Sequence, residues 1–289
     1  PVEVEELHFG SPVVWEPPLD TEADDLDEEL PNDITRVVAT VGRAARLAEL
    51  PTPRKPWLPE LRTTYDSAAM RVRSDGRLPL GVQDDPEEQR QPVVYYEPDR
   101  EGNMAIYGTG GSGKSAALRQ VAVAASLAAV HTPVHVYGLD FGAAGLRMLE
   151  ALPTVGAVIT GDDEERLARL MRELSATVDE RGERYAAARA ATIEEYREVT
   201  GDSREARIIV LVDGIGALRD AYEHSTVAHW FTMLTQIAGD GRGVGVHVVV
   251  SADRFNSVPT SLGSSIQKRL VLRMSTEDDY LNLGVPKDV

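Results

Sequence analysis

The sequence predicts an α/β protein, a mostly parallel β-sheet sandwiched between two layers of helices and preceded by a helical extension. Two observations carry this. From Leu78 onward, short β-branched apolar runs alternate with helix-length stretches, and near-continuous apolar strands belong to parallel sheets covered on both faces. A hydrophobic fraction of 42% over 289 residues also supplies enough apolar side chains for one sizeable core.

Taken in order, residues 1–33 read as an acidic linker. Glu16, Asp20, Glu22, Asp24, Asp25, Asp27, Glu28, Glu29 and Asp33 follow one another with no base between them. Such a block repels itself and is either a solvated tether or an arm that docks on a basic neighbour. Residues 34–77 read as a helical and proline-rich extension packing on the core. Asn32 or Asp33 caps a helix whose apolar stripe is Val37, Val38, Val41, Ala45 and Ala48. Pro51, Pro53, Pro56 and Pro59 then enforce an extended connector, with Trp57 expected to anchor it to the core.

Residues 78–289 form the core. Its predicted strands are Met104–Tyr107, Val134–Leu139, Val155–Ile159, Ile208–Val212, Val244–Val250 and Leu270–Arg273. Predicted helices are Lys114–Val130, Gly142–Leu152, Asp163–Ala190 and Thr226–Ala238. The long one places Leu167, Leu170, Met171, Leu174 and Val178 on one face. Thr192 with Glu195 forms a capping box for a short helix after it.

Composition narrows the function classes. Absence of cysteine removes disulfides, thiolate metal sites and cysteine nucleophiles. The formal net charge of −17 opposes general nucleic-acid binding, because phosphate neutralisation by basic residues supplies most of that affinity. The richest apolar run, Val121 to Val130, is too short to span a membrane, and no basic, apolar leader opens the chain. No membrane contact is expected within these residues. Pro1 and Val289 read as the limits of a piece of a longer chain.

The strongest chemical signal is Gly108-Thr109-Gly110-Gly111-Ser112-Gly113-Lys114-Ser115, which matches G-x-x-x-x-G-K-[ST] between a short apolar strand and a helix. Glycines let the backbone wrap phosphates and aim N–H groups at them from a helix N-terminus. Lys114 is expected to reach the β- and γ-phosphates of ATP, and the Ser115 hydroxyl to ligate Mg²⁺. The chain is therefore expected to be a P-loop NTPase of the RecA-like (ASCE) type. Gly108, Gly110 and Gly113 also satisfy the dinucleotide pattern, but the strand-end acid Asp140 comes 27 residues beyond Gly113 rather than about twenty, and Lys114-Ser115 has no task in that scheme. Asp140-Phe141-Gly142 resembles a kinase signature without the His-Arg-Asp loop a kinase requires.

Ile208-Ile209-Val210-Leu211-Val212-Asp213 supplies a Walker B strand, with Asp213 expected to hold the metal through water. In many P-loop motors the next residue is a glutamate that polarises the attacking water; here it is Gly214. Loss of a general base costs about 10²- to 10⁴-fold in rate, so ATP binding is expected more firmly than rapid hydrolysis. A glutamate placed at 214 is expected to raise turnover if the rest of the site is intact. Asp140 is either a substitute base or a strand-end structural acid. Ser251 is either a γ-phosphate sensor or a turn residue, and Arg242 and Arg254 are either arginine fingers on a neighbouring module or solvated surface residues. The histidines at 8, 131, 135, 224, 229 and 247 show no metal-ligand spacing.

Together with the P-loop, the segments Leu139-Asp140-Phe141, Arg181 on the long helix and Gly245-Val246-His247 resemble the FtsK/SpoIIIE branch of P-loop ATPases. Trp57-Leu58-Pro59, Leu80 to Gln89 with its Asp84-Asp85-Pro86 step, and Gly102-Asn103-Met104 resemble, more narrowly, the EccC-type ATPases of type VII (ESX) secretion. The resemblance covers residues 34 to 289. It implies a module of a membrane-anchored chain at the cytoplasmic face, working beside neighbouring ATPase modules of the same chain or ring. It implies substrates that are helical hairpins recognised through a C-terminal signal. It also implies that later modules with altered Walker B ends regulate or recruit more than they hydrolyse, and Asp213-Gly214 departs from the hydrolytic pattern in that way. The alternative is a DNA translocase of the parent family.

Overall fold

The computed structural model describes residues 32–51, 57–70, 75–222 and 229–286. The acidic run before residue 32, Pro53, Pro56, His8 and His224 lie outside the described residues. The chain divides into two units, Pro1–Pro56 and Trp57–Val289.

In the first unit, helix α1 spans Asp33–Leu47, and Asn32 is its cap: the Asn32 side-chain oxygen accepts the Thr35 N–H at 2.9 Å. The predicted apolar stripe forms, but Ile34, Val37, Val38 and Val41 are exposed.

The second unit opens on the segment around Trp57. The indole is 64% exposed, contrary to its expected anchoring role. A polar tie holds this segment instead, with Gln91 Nε2 donating to the Pro59 carbonyl at 2.8 Å. Strands β1 (Leu78–Val82) and β2 (Val93–Tyr96) then pair as an antiparallel hairpin that the sequence reading did not anticipate. The Asp84-Asp85-Pro86 segment is its turn. Asp85 and Arg90 exchange backbone hydrogen bonds of 3.0 and 3.2 Å, and Arg90 Nε reaches the Asp85 carboxylate at 3.0 Å.

The main sheet has six strands, all parallel: β3 (Asn103–Tyr107), β4 (Val134–Asp140), β5 (Val155–Thr160), β6 (Arg207–Asp213), β7 (Val246–Ala252) and β8 (Ile266–Val271). Their spatial order is β5-β4-β6-β7-β3-β8. Strand alternation sends successive side chains to opposite faces. On β6, Ile208, Val210 and Val212 join one core, and Ile209 and Leu211 join the other. The first core is covered by α4 (Glu164–Ala188), α5 (Ile193–Thr200), α6 (Ile215–Tyr222) and α7 (His229–Asp240). The second is covered by α3 (Lys114–Ala128) and the hairpin, through Leu118, Val121, Ala125, Leu78 and Tyr96.

Two predicted elements differ. The stretch Gly142–Leu152 is a loop ending in a short 3₁₀ turn, Arg147–Ala151, because the Asp140 carboxylate captures the N–H groups of Gly142 and Leu146 at 3.2 and 2.8 Å. The last strand runs Ile266–Val271 rather than Leu270–Arg273: Asn103 to Tyr107 of β3 supply its hydrogen-bonding partner, so the polar run Gln267-Lys268-Arg269 is drawn into the sheet edge. The capping box is present in altered form. Thr192 Oγ1 accepts the Glu195 N–H at 3.2 Å, while the Glu195 carboxylate accepts from Ala191 N–H at 2.7 Å, one residue before the cap.

The N-terminal end of the sheet is fixed by buried charge. Arg207, at the start of β6, pairs with Asp99 of the short helix α2 (Pro98–Glu101), and His247 of β7 meets the same carboxylate at 3.0 Å. Burial alone would raise the Asp99 carboxyl, but hydrogen bonds from His247 and Arg207, with the guanidinium charge, hold it well below the usual carboxylate range. Burial in turn lowers the His247 imidazole, against the pull of Asp99, so it is neutral at pH 7. Arg181 of α4 is a second fastener. It donates to the Val244 and Ala206 carbonyls at 2.9 and 2.8 Å and pairs with Glu205 at 2.7 Å.

Candidate nucleotide site

The C-terminal end of the sheet gathers the predicted site. Residues 108–113 leave β3 as a turn and enter α3 at Lys114, with Gly111 and Gly113 in the left-handed backbone region at φ +73° and +104°. That conformation is open to glycine and strained for other residues. The N–H groups of Gly110 and Gly111 make no backbone hydrogen bond, and the buried Ser112 hydroxyl has no protein partner among the described residues. A turn with unused N–H donors, an orphaned hydroxyl and the first N–H groups of a helix is a cradle for an anion. Its chemistry fits a nucleotide's phosphates.

Lys114 curls back over this turn. Its amine donates to the Gly108 and Thr109 carbonyls at 2.7 and 2.9 Å and pairs with the Asp253 carboxylate at 2.8 Å. Thr109 is itself secured to the segment after β8, its N–H and hydroxyl both reaching the Arg273 carbonyl, at 2.9 and 3.1 Å.

Strand order explains the rest. Because β7 lies between β3 and β6, its C-terminal residues fall between the P-loop and Asp213. Asp213, buried at the end of β6, accepts from two serine hydroxyls, Ser115 on Oδ2 and Ser251 on Oδ1, each at 2.6 Å. Ser251 in turn accepts the Gly214 N–H at 2.8 Å. The donor set Ser115 hydroxyl and Asp213 carboxylate fits a hard cation such as Mg²⁺, which favours oxygen ligands and keeps several waters.

Asp140 sits beside Asp213 in register, but two backbone N–H groups of the following loop already occupy its oxygens, which makes it a loop-holding acid. Arg254 is exposed just beyond Asp253, at the site's rim. Arg242 lies at the opposite end of the sheet, before β7 begins, where it donates to the Arg100 carbonyl at 2.7 Å. The geometry therefore does not bring Arg242 to this site.

Gly214 has φ +84°, and a Cβ there would lie 3.2 Å from the Phe141 carbonyl oxygen. The residue that lacks the usual carboxylate also holds a backbone conformation that suits glycine. A glutamate placed at 214 would therefore enter a strained backbone position. The sequence reading also missed Asp253. The available signal was its position two residues past Ser251, just beyond the end of β7.

Comparison with known proteins supports the same reading. The chain is 24% identical to the type VII secretion system protein EssC of Staphylococcus aureus (strain MRSA252), covering 89% of this chain and 18% of that protein. It is 26% identical to the ESX secretion system protein EccC of Geobacillus thermodenitrificans, over 75% of this chain and 14% of the relative. The chain thus spans less than a fifth of the length of these relatives. A structure of Thermomonospora curvata EccC, ATPases 2 and 3, in complex with a signal sequence peptide superposes with TM-score 0.65 at 28% identity, covering 84% of this chain and 44% of that one. The pCW3 conjugation coupling protein TcpA with ATPγS shares the fold at TM-score 0.63 and 16% identity, over 80% of this chain and 62% of that one. No helix among the described residues is long and apolar enough to cross a membrane. The family model for FtsK/SpoIIIE matches residues 60–285, and with the P-loop, the Walker B strand and the parallel sheet in place, the chain belongs to the FtsK/SpoIIIE family.

Proposed function

We propose that this chain is one MgATP-binding ATPase module of a type VII secretion motor of the EccC/EssC kind, with slow or regulated hydrolysis. The observation that carries the reading is the single hydrogen-bonded unit Ser115–Asp213–Ser251 beside the Lys114 cradle, followed by a glycine in place of a water-polarising acid. In this reading the turn 108–113 would wrap the phosphates, Lys114 would meet the β- and γ-phosphates, and Ser115 and Asp213 would hold Mg²⁺, the latter through water. Bound Mg²⁺ supplies charge neutralisation across the phosphates. Ser251 positions Asp213 and couples it to the backbone at Gly214. The absent base leaves about 3 to 5 kcal/mol of barrier unrelieved.

Membership of the secretion branch is supported by the EssC and EccC relatives, and the net charge of −17 opposes a DNA translocase. As the family resemblance implies, the exported partners are proposed to be helical hairpins bearing a C-terminal signal; the neighbour solved with a signal sequence peptide supports recognition of a signal segment. Neighbouring modules of the same chain or ring would supply Arg254-like fingers, and the whole would work at the cytoplasmic face of a membrane. The deciding experiment is calorimetric titration of MgATP into the wild type and Lys114→Ala. Saturable binding that vanishes in the variant is the expected result; equal affinity in both overturns the site assignment.

A further inference from the structure

Resting on that reading, the geometry points to a further role at the site: Asp253 is an internal competitor for the P-loop lysine and sets the nucleotide affinity of this module. An ammonium group carries three N–H donors and no acceptor. Lys114 spends them on partners from its own chain: the carbonyls of Gly108 and Thr109, which belong to the turn it closes, and the Asp253 carboxylate at 2.8 Å.

These three partners are not equivalent. The two carbonyls are fixed by the backbone of the turn, and Thr109 is further fastened to Arg273. Asp253 is a side chain on the residue after β7, 72% exposed, whereas Lys114 is only 12% exposed. A phosphate oxygen arriving at Lys114 therefore displaces the carboxylate rather than the carbonyls. The displaced carboxylate also stays near a group of its own charge, because Ser251, two residues earlier, is hydrogen-bonded to Asp213 and pins the end of β7 to the site. Loss of an ion pair and gain of a like-charge neighbour act in the same direction, against nucleotide binding.

Among the described residues no other carboxylate pairs with Lys114, so the effect belongs to one side chain. Displacing this carboxylate frees the first side chain of the turn 253–257. That turn carries Arg254 and the 3₁₀ turn Phe255–Ser257. Arg219 of α6 donates to its Asn256 carbonyl at 3.0 Å, so the backbone of the turn stays tied to α6.

The test is calorimetric titration of MgATP and MgADP into the wild type, Asp253→Asn, Asp253→Glu and Lys114→Ala. Asp253→Asn keeps the shape and removes the charge at an exposed position, so folding is not at issue. It is expected to bind both nucleotides about tenfold more tightly than the wild type, while Asp253→Glu stays within about twofold of it. Unchanged or weaker affinity in Asp253→Asn, with wild-type binding that Lys114→Ala abolishes, would overturn the competitor role and leave the nucleotide site standing. Equal gains in Asp253→Asn and Asp253→Glu would also overturn it, because charge would then be irrelevant. Absence of binding in every protein, Asp253→Asn included, would overturn both this inference and the site on which it rests.

Discussion

Replacing Gly214 by alanine tests whether the end of the Walker B strand is built around glycine. At φ +84° an L-residue pays about 1–2 kcal/mol for the left-handed region. The new Cβ would also lie 3.2 Å from the Phe141 oxygen and 3.3 Å from its carbon. Phe141 cannot retreat freely, since its N–H is bonded to the Asp213 carbonyl at 2.9 Å. Together these give a loss of about 1–3 kcal/mol, and for a unit of this size each kcal/mol lowers Tm by roughly 2–4 °C. Gly214→Ala is therefore expected to melt about 2–12 °C below wild type, with an unchanged urea m-value. Gly214→Asn should lie between them, because asparagine tolerates the left-handed region better than alanine. Gly214→Glu should share the loss and show no gain in ATP turnover, because moving residue 214 also moves the N–H that Ser251 accepts. An alanine variant that melts with the wild type, or a glutamate variant about 100-fold faster in steady-state hydrolysis, would refute this account.

Two further outcomes follow from the opposite end of the sheet. Arg207→Ala leaves Asp99 buried without its guanidinium, and urea denaturation should show a loss of about 3–5 kcal/mol; a loss below about 1 kcal/mol would mean the pair is effectively solvated. His247 has its folded pKa lowered by burial, so the unfolded chain binds a proton that the folded chain refuses. Its contribution is complete above the unfolded value of about 6.5 and is lost as pH falls below it, by at most about 1.4 kcal/mol per pH unit. Asp99, with its folded pKa depressed, keeps its own contribution until pH falls below the unfolded carboxyl value of about 3.9. Between pH 4.5 and 6.5, roughly the window set by these two unfolded values, His247→Gln should flatten the stability profile; an unchanged slope would remove His247 as its source.

Much of this site was legible because it is local in sequence. Gly108 to Ser115 are consecutive, and the backbone conformation they need follows from their glycines. Asp213 was legible from the apolar run that delivers it. What escaped was non-local or concealed by polarity. Nothing in the sequence pairs Asp99 with Arg207 and His247, separations of 108 and 148 residues that only the sheet order brings together. The link from Lys114 to Asp253 likewise depends on β7 entering between β3 and β6. Gly142 to Leu146 read as the start of a helix because its alanine and leucine content favours one; two N–H bonds to a buried aspartate outweigh that weak propensity. Strand β8 was read late because Gln267, Lys268 and Arg269 suit an edge strand and carry no apolar alternation.

The buried Arg207–Asp99–His247 group gives the sheet a mechanical polarity. Each of β6 and β7 starts in a cluster of charge shielded from water, and β3 starts at Asn103, whose amide bonds the Ala238 carbonyl at 2.6 Å and the Val248 N–H at 2.7 Å. At their other ends, β6 closes on Asp213, tied through two serine hydroxyls, while β3 and β7 run directly into the turn 108–113 and the exposed residues from Asp253 onward. Local opening should therefore be graded along each strand, rarest at its first residues and commonest at its last. A sheet built this way is expected to flex at its mouth while its rear stays clamped, so that movement of the strand ends is passed sideways to the covering helices rather than dissipated through the sheet.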